Sequence, residues 1–244
     1  MDWRAGFMGA AMVAMAALGA PQTFEKDVLK TSAGELEITF VGHGSLVFRL
    51  GAKVVHVDPY GRLADYSALP KADLVLITHG HGDHLDLAAI AAVRTPKTQV
   101  VVAPICEGKV EGAEILKNGE QRSFQGIPVT AVPAYNLVQL RPDGKPFHPK
   151  GEGNGYVLGF GDTRVYVAGD TENTPEMKAL KGITVAFLPM NLPYTMTPEQ
   201  VADAARAFRP RILYPYHFGE TDPAKVVALL KDETGIEVRV RKMK

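Results

Sequence analysis

The chain of 244 residues holds a single cysteine, Cys106, so no disulfide can form within it. Set in Ala103-Pro104-Ile105-Cys106, that thiol reads as a small buried hydrophobe rather than a nucleophile. An excess of charge of either sign is also missing. Lys plus Arg and Asp plus Glu each total 27, for a formal net charge of zero. A chain built to hold DNA or RNA carries a basic excess or stripe to meet the phosphates, and neither is present, so nucleic acid is not expected as the partner. No tandem repeat of solenoid length is visible and no linker divides the chain. The apolar stretch near the N-terminus, Ala5 to Leu18, falls short of the roughly 20 residues that span a bilayer.

That stretch has the layout of a secretory signal peptide over residues 1–20. Arg4 supplies a positive start that Asp2 offsets, and Ala17-Leu18-Gly19 offers small residues for cleavage near Gly19 or Ala20. The expectation is an exported protein, periplasmic or secreted, with no stable membrane insertion after processing. A leader helix or short anchor kept on the mature chain is the competing reading. Residues 21–244 then form one domain, and 46% hydrophobic residues suffice for one substantial core.

The first half reads as short strands. Leu36 to Val41, Ser45 to Leu50 and Lys53 to Val57 are separated by Gly42-His43-Gly44 and Gly51-Ala52, which predicts an antiparallel meander. A buried strand follows at Leu74 to Ile77, then a helix from Leu87 to Arg94 with Asp86 placed to cap it. Val100 to Ala103, Glu114 to Leu116, Gln121 to Phe124 and Ile127 to Val132 continue the pattern. In the second half Gly161-Asp162 predicts a hairpin between Gly155 to Phe160 and Thr163 to Ala168. Val185 to Leu188, Arg211 to Tyr214 and Ile236 to Val240 are further strands. Thr197-Pro198-Glu199-Gln200 opens a helix to Phe208 with a capping box, and Asp222-Pro223 opens another to Lys231. The irregular stretch Pro133 to Gly153 carries Tyr135, Asn136 and His148, and reads as part of an active-site rim.

The densest chemistry is Thr78-His79-Gly80-His81-Gly82-Asp83-His84, directly after the apolar run Leu74 to Ile77. Imidazole and carboxylate suit Zn²⁺ and its first-row neighbours, and an ordinary surface turn has no need of so many such groups. Two more candidate ligands repeat the pattern of strand, turn, ligand: Asp170 after Val167-Ala168-Gly169 and His217 after Tyr214-Pro215-Tyr216. His56, inside Val54 to Val57, reads instead as a satisfied strand histidine.

These residues resemble the metallo-β-lactamase-fold hydrolases, more narrowly their lactonase-like and phosphodiesterase-like branch. The resemblance rests on Gly42-His43-Gly44-Ser45, Val57-Asp58-Pro59, Thr78 to Asp86, Gly169-Asp170-Thr171 and Pro215-Tyr216-His217, in the family's order. It implies an α/β fold: an αββα sandwich of two mixed β-sheets with helices on the outer faces. It implies one or two metal ions, with Zn²⁺ first and Mn²⁺ or Fe²⁺ open. His79 and His81 would bind the first, Asp83, His84 and His217 the second, and Asp170 would bridge them. Asp58 would brace the histidine loop from behind. The family's third histidine for the first metal comes from a Pro-Ala-x-His position, which here reads Pro133-Ala134-Tyr135-Asn136. His148, from the same loop, is the natural replacement; a substrate contact or a one-metal site are the other readings.

The activity implied is attack by a metal-bound hydroxide on an ester, lactone or phosphodiester of a small molecule. Asp83 would orient the nucleophile or pass its proton on, while Tyr135, Tyr194 or His43 would meet the substrate. The alternatives are a non-catalytic exported metal binder and a nucleic-acid-processing hydrolase. An amidohydrolase barrel also places His-x-His after a strand, but this chain lacks the barrel's regular alternation.

Overall fold

The run Leu74 to Ile77 forms β5 (Leu74–Ile77), and its lack of apolar-polar alternation reflects burial on both faces. Leu74 and Leu76 join the core between two sheets, whereas Val75 and Ile77 pack under Ile90 and Val93 of α1 (Leu87–Val93) on the outside. The computed structural model describes residues 22–244, so the predicted leader, residues 1–20, lies outside the described residues.

The first sheet contains seven strands in chain order: β1 (Glu25–Thr31), β2 (Gly34–Gly42), β3 (Ser45–Leu50), β4 (Lys53–Val57), β5, β6 (Gln99–Val102) and β7 (Glu114–Ile115). The second has seven more: β8 (Gln121–Phe124), β9 (Ile127–Ala134), β10 (Gly153–Phe160), β11 (Thr163–Val167), β12 (Val185–Pro189), β13 (Ile212–Tyr216) and β14 (Glu237–Val238). In each sheet the first four strands pair antiparallel and the rest parallel. The halves therefore share one topology although the sequence shows no repeat. Both sheets are mixed, as expected of the sandwich.

The inner faces meet through aromatic rings. Phe48 lies 5.9 Å from both Phe160 and Phe187, and Phe40 lies 5.0 Å from Tyr214. The second sheet is covered by α2 (Pro175–Lys178), α3 (Pro198–Phe208) and α4 (Ala224–Leu230). Phe208 of α3 stands edge-on to Tyr166 of β11 at 6.1 Å. Thr197 and Gln200 form the predicted capping box of α3, and the Asp86 carboxylate accepts from the Ala88 and Ala89 amides to start α1. Among the described residues no helix is long and apolar enough to cross a membrane.

Several elements depart from the sequence reading: α2 is not expected from it, β14 is shorter than Ile236 to Val240, and β1 and β13 differ for physical reasons. The strand β1 has no apolar run because it is an edge strand that carries Glu25, Lys26, Asp27 and Lys30. The strand β13 continues through Pro215, where the expected strand stops at Tyr214. Its outer neighbour β14 pairs only with Ile212 and Leu213, so Pro215 needs no amide on that side.

His56, on β4, is fully buried; its Nε2–H donates to the Pro70 carbonyl at 2.9 Å and its Nδ1 has no partner. Burial pushes its pKa down to about 4, against the opposing pull of the Pro70 bond. The unfolded chain, at about 6.5, therefore binds a proton that the folded chain refuses. The stability contributed by neutral His56 is complete above about pH 6.5 and is lost as pH falls toward 4. We expect a loss of about 3 kcal/mol across that window in urea denaturation. His56→Gln, which cannot titrate, should remove this component from the difference between the two pH curves.

Candidate metal centre

The parallel strands of both sheets end at one edge, and their C-terminal turns supply most of the centre. Asp58 follows β4, His79 to His84 follow β5, Asp170 follows β11 and His217 follows β13. His43 sits in the β2–β3 turn and His148 in the β9–β10 loop. His43, Asp58 and His217 have φ of 49°, 44° and 43°, left-handed values that cost non-glycine residues about 1–3 kcal/mol each. Each such turn swings its side chain back over the strand end. Beside Asp170, Gly169 has φ of 66° and an added Cβ would lie 2.7 Å from the Asn154 carbonyl, so only glycine fits.

The side chains converge in two groups. One contains His79, His81, His148 and Asp170; the other His43, Asp83, His84 and His217. Within each, one ligand atom per residue lies within 4.8 Å of the rest. Asp170 stands between them. Its Oδ2 is 3.4 Å from His148 Nε2 and 3.8 Å from His79 Nε2. Its Oδ1 is 3.4 Å from His217 Nε2 and 3.6 Å from His84 Nε2. His148 Nε2 and Asp170 Oδ1 are buried without a hydrogen-bond partner. A nitrogen lone pair and a carboxylate oxygen left so are both satisfied by a cation and not by each other, so the donor set fits divalent metal.

A second layer fixes which nitrogen faces inward. Asp58, fully buried, accepts from His84 Nδ1–H at 2.8 Å, the Thr78 amide at 2.8 Å and the Thr78 hydroxyl at 2.6 Å. The same hydroxyl oxygen accepts from His79 Nδ1–H at 3.0 Å. Both rings are thereby left with Nε2 free toward the centre. Burial, then neighbouring His84, holds the His79 pKa well below its usual value, and burial takes His217 down to about 4. Burial opposes ionisation of Asp170, but the positive potential of His217 and His84 holds its carboxyl well below the usual range. Neutral His79 and His217 facing an ionised Asp170 are the protonation states a metal requires. His84, which burial would lower but Asp170 and Asp58 hold up to about 9, would release its proton on binding one.

A family profile described as a beta-lactamase superfamily domain matches residues 37–217. The chain belongs to the metallo-β-lactamase-fold hydrolase superfamily. A UPF0173 metal-dependent hydrolase of Methanopyrus kandleri is 32% identical over 226 residues, which cover 84% of this chain and 95% of that one. Another from Koribacter versatilis is 36% identical over 202 residues, 75% of this chain and 84% of its own. Among solved structures, a protein of Parabacteroides distasonis named as a metal-dependent hydrolase superposes with TM-score 0.86 at 47% identity, covering 91% of this chain and all 100% of that one. Igni18, a metallo hydrolase of Ignicoccus hospitalis, superposes with TM-score 0.69 at 25% identity, covering 85% and 95%.

Against the family pattern, the departure at Asn136 has a clear structure. Asn136 Oδ1 accepts from His148 Nδ1–H at 2.8 Å and from the His148 amide at 2.7 Å. The residue in the family's histidine position thus aims His148 Nε2 at Asp170. Asn136→Ala is expected to weaken metal affinity of the His79/His81/His148 group about 10- to 100-fold while the other group changes little. Chelator competition with two resolved binding steps would measure this.

The remaining predicted residues divide. Tyr194 lines a cleft of about 470 Å³ with Asp83, Phe147, His148, Asp170 and His217. Tyr135, expected at the substrate, turns its hydroxyl to Glu176 at 2.9 Å and Lys150 at 3.2 Å and lines neither cavity at the centre. His43, also expected at the substrate, donates from Nε2 to Asp83 Oδ2 at 2.9 Å, and its ring lies 3.6 Å from that of His217. Sequence reasoning missed Glu172. This buried carboxylate accepts the amides of Leu137, Val138 and Gln139, tying the His148 loop to the Asp170 turn. Its one signal was a charge two residues after a predicted ligand.

Proposed function

We propose that this chain is a metal-dependent hydrolase that cleaves an ester, lactone or phosphodiester of a small molecule, with one or two Zn²⁺ held by the two groups. The observation that carries the reading is Asp170, whose two oxygens face different histidine groups. The first ion would be held by His79, His81, His148 and Asp170, the second by Asp83, His84, His217 and Asp170. A bound divalent cation lowers the pKa of its water toward about 7 and polarises a carbonyl or phosphoryl oxygen.

The chain's own residues supply the rest. Asp83 Oδ2 lies 3.8 Å from both His84 Nε2 and His217 Nε2, and its side chain is 37% exposed. Burial opposes its ionisation, but the hydrogen bond from His43 and the positive potential of His84 hold its carboxyl well below the usual range. It therefore stands at the cleft as a carboxylate able to orient a nucleophile. His43 keeps it there. Phe147 and Tyr194, edge to face at 5.0 Å, wall the cleft and limit water. Open access at Asp83 and His81 favours catalysis over a closed structural site, in which protein ligands fill every position.

The test is elemental analysis of the purified protein with a panel of esters, lactones and phosphodiesters, run on wild type and Asp83→Ala. We expect bound zinc, turnover of one class, and a variant slower by at least about 100-fold. Bound metal with no turnover would instead support a non-catalytic metal binder. We also propose export: intact-mass analysis of the periplasmic or secreted fraction should find a chain beginning near residue 20.

A further inference from the structure

The centre opens into two cavities that share His81, Phe147, His148 and Asp170. The smaller, of about 240 Å³, lies beside the His79/His81/His148 group and is also lined by Lys109, Ile105 and Glu152. Lys109 reaches it because the chain turns back after β6: a 3-10 turn at Pro104–Cys106 is followed by Gly108 at φ of 71°, and the Lys109 amide donates to the Cys106 carbonyl at 3.0 Å. A Cβ placed on Gly80 would lie 2.8 Å from Lys109 Nζ. The ammonium therefore rests against the backbone between His79 and His81, above the first ligand group. Among the described residues it has no carboxylate within 4.0 Å. The larger cavity carries a second cation, Arg141, whose Nη2 donates to the Phe147 carbonyl at 3.2 Å.

The charge lining these cavities would be net positive with metal bound. Even one divalent ion balances Asp83 and Asp170, which leaves Lys109 and Arg141 facing the single further carboxylate, Glu152. We propose that Lys109 is a substrate-binding residue and that the site takes a small ester bearing an oxyanion. The oxyanion, phosphoryl or carboxylate, sits in the smaller recess between the first ligand group and Lys109. The apolar remainder lies along Phe147 and Tyr194 in the larger cleft. Lysine suits this task as a point charge on a flexible stem, able to follow an oxygen of either geometry. The inference rests on the hydrolase reading and narrows its substrate class.

The test is calorimetric titration of the zinc-loaded protein with phenylphosphonate, benzoate and neutral benzamide, none of which is turned over. Lys109→Gln is expected to keep its zinc content and melting temperature, because Lys109 is exposed and no ligand. It should bind one or both anions about tenfold more weakly and leave benzamide unchanged. Lys109→Arg should retain most of the affinity. Loss confined to phenylphosphonate assigns a phosphoryl group, and loss confined to benzoate a carboxylate. Anion affinities equal in wild type and Lys109→Gln, or wild type binding neither anion more tightly than benzamide, would overturn the proposal. Failure of the hydrolase reading shows differently, as absent turnover with Lys109-dependent anion binding intact.

Discussion

Replacing Asp170 by alanine is expected to empty both ion sites at once, the largest single effect in this protein. One oxygen faces His79 and His148, the other His84 and His217, at 3.4 to 3.8 Å. Two divalent ions held by these neighbouring groups would repel each other strongly unless an anion stood between them. Without Asp170 each group loses a ligand and the pair loses its shared counter-charge. We expect metal content after dialysis against a mild chelator to fall from the wild-type level to near zero, and hydrolysis to fall at least about 1,000-fold. Asp170→Asn separates ligand loss from charge loss. It keeps one oxygen but turns an NH₂ toward one group, so it should retain about one ion. Two ions held by Asp170→Ala at wild-type affinity would show that the carboxylate bridges nothing.

Much of this architecture could be read in the chain before folding. The strand Leu74 to Ile77 and the capping box at Thr197 to Gln200 are local patterns whose physical causes lie within a few residues, and the structure has both. So is the His79 to His84 turn, whose density of ligand types names it. What escaped depends on partners distant in sequence. The edge strand β1 is held by pairing with β2 rather than by an apolar run of its own. Lys109 lies 29 positions from Gly80 yet rests on it. Glu172 clamps amides 33 to 35 positions earlier, and Asn136 meets His148 across a loop. Tyr135 shows the reverse case: the irregular stretch Pro133 to Gly153 reads as one active-site rim, but the Tyr135 hydroxyl is taken up by Glu176 and Lys150, partners that the rim reading does not anticipate.

Replacing Asp58 by alanine is expected to cause the largest loss of stability. Asp58 and His84 are both fully buried, and the carboxylate is held by His84 Nδ1–H, the Thr78 amide and the Thr78 hydroxyl. Removing one member of a buried pair leaves the other uncompensated, at a cost of about 3–5 kcal/mol. For a domain of this size that lowers the melting temperature by about 10 °C in the metal-free protein. Loss of the brace should also weaken the His84 group's ion about 10- to 100-fold, since His84 can then rotate or change tautomer. The pH profile gives a second readout. Burial alone would lower the His84 pKa, but Asp170 and then Asp58 carry it up to about 9. A folded value above the unfolded 6.5 means the pair's contribution is complete below about pH 6.5 and is lost as pH rises through about 9. Metal-free wild type should therefore weaken between those limits, and Asp58→Ala, left with Asp170 and Asp83 as the charge partners of His84, should weaken less. Equal melting temperatures and parallel pH curves for the two proteins would mean that the pair braces nothing and that the turn after β5 is held by its backbone alone.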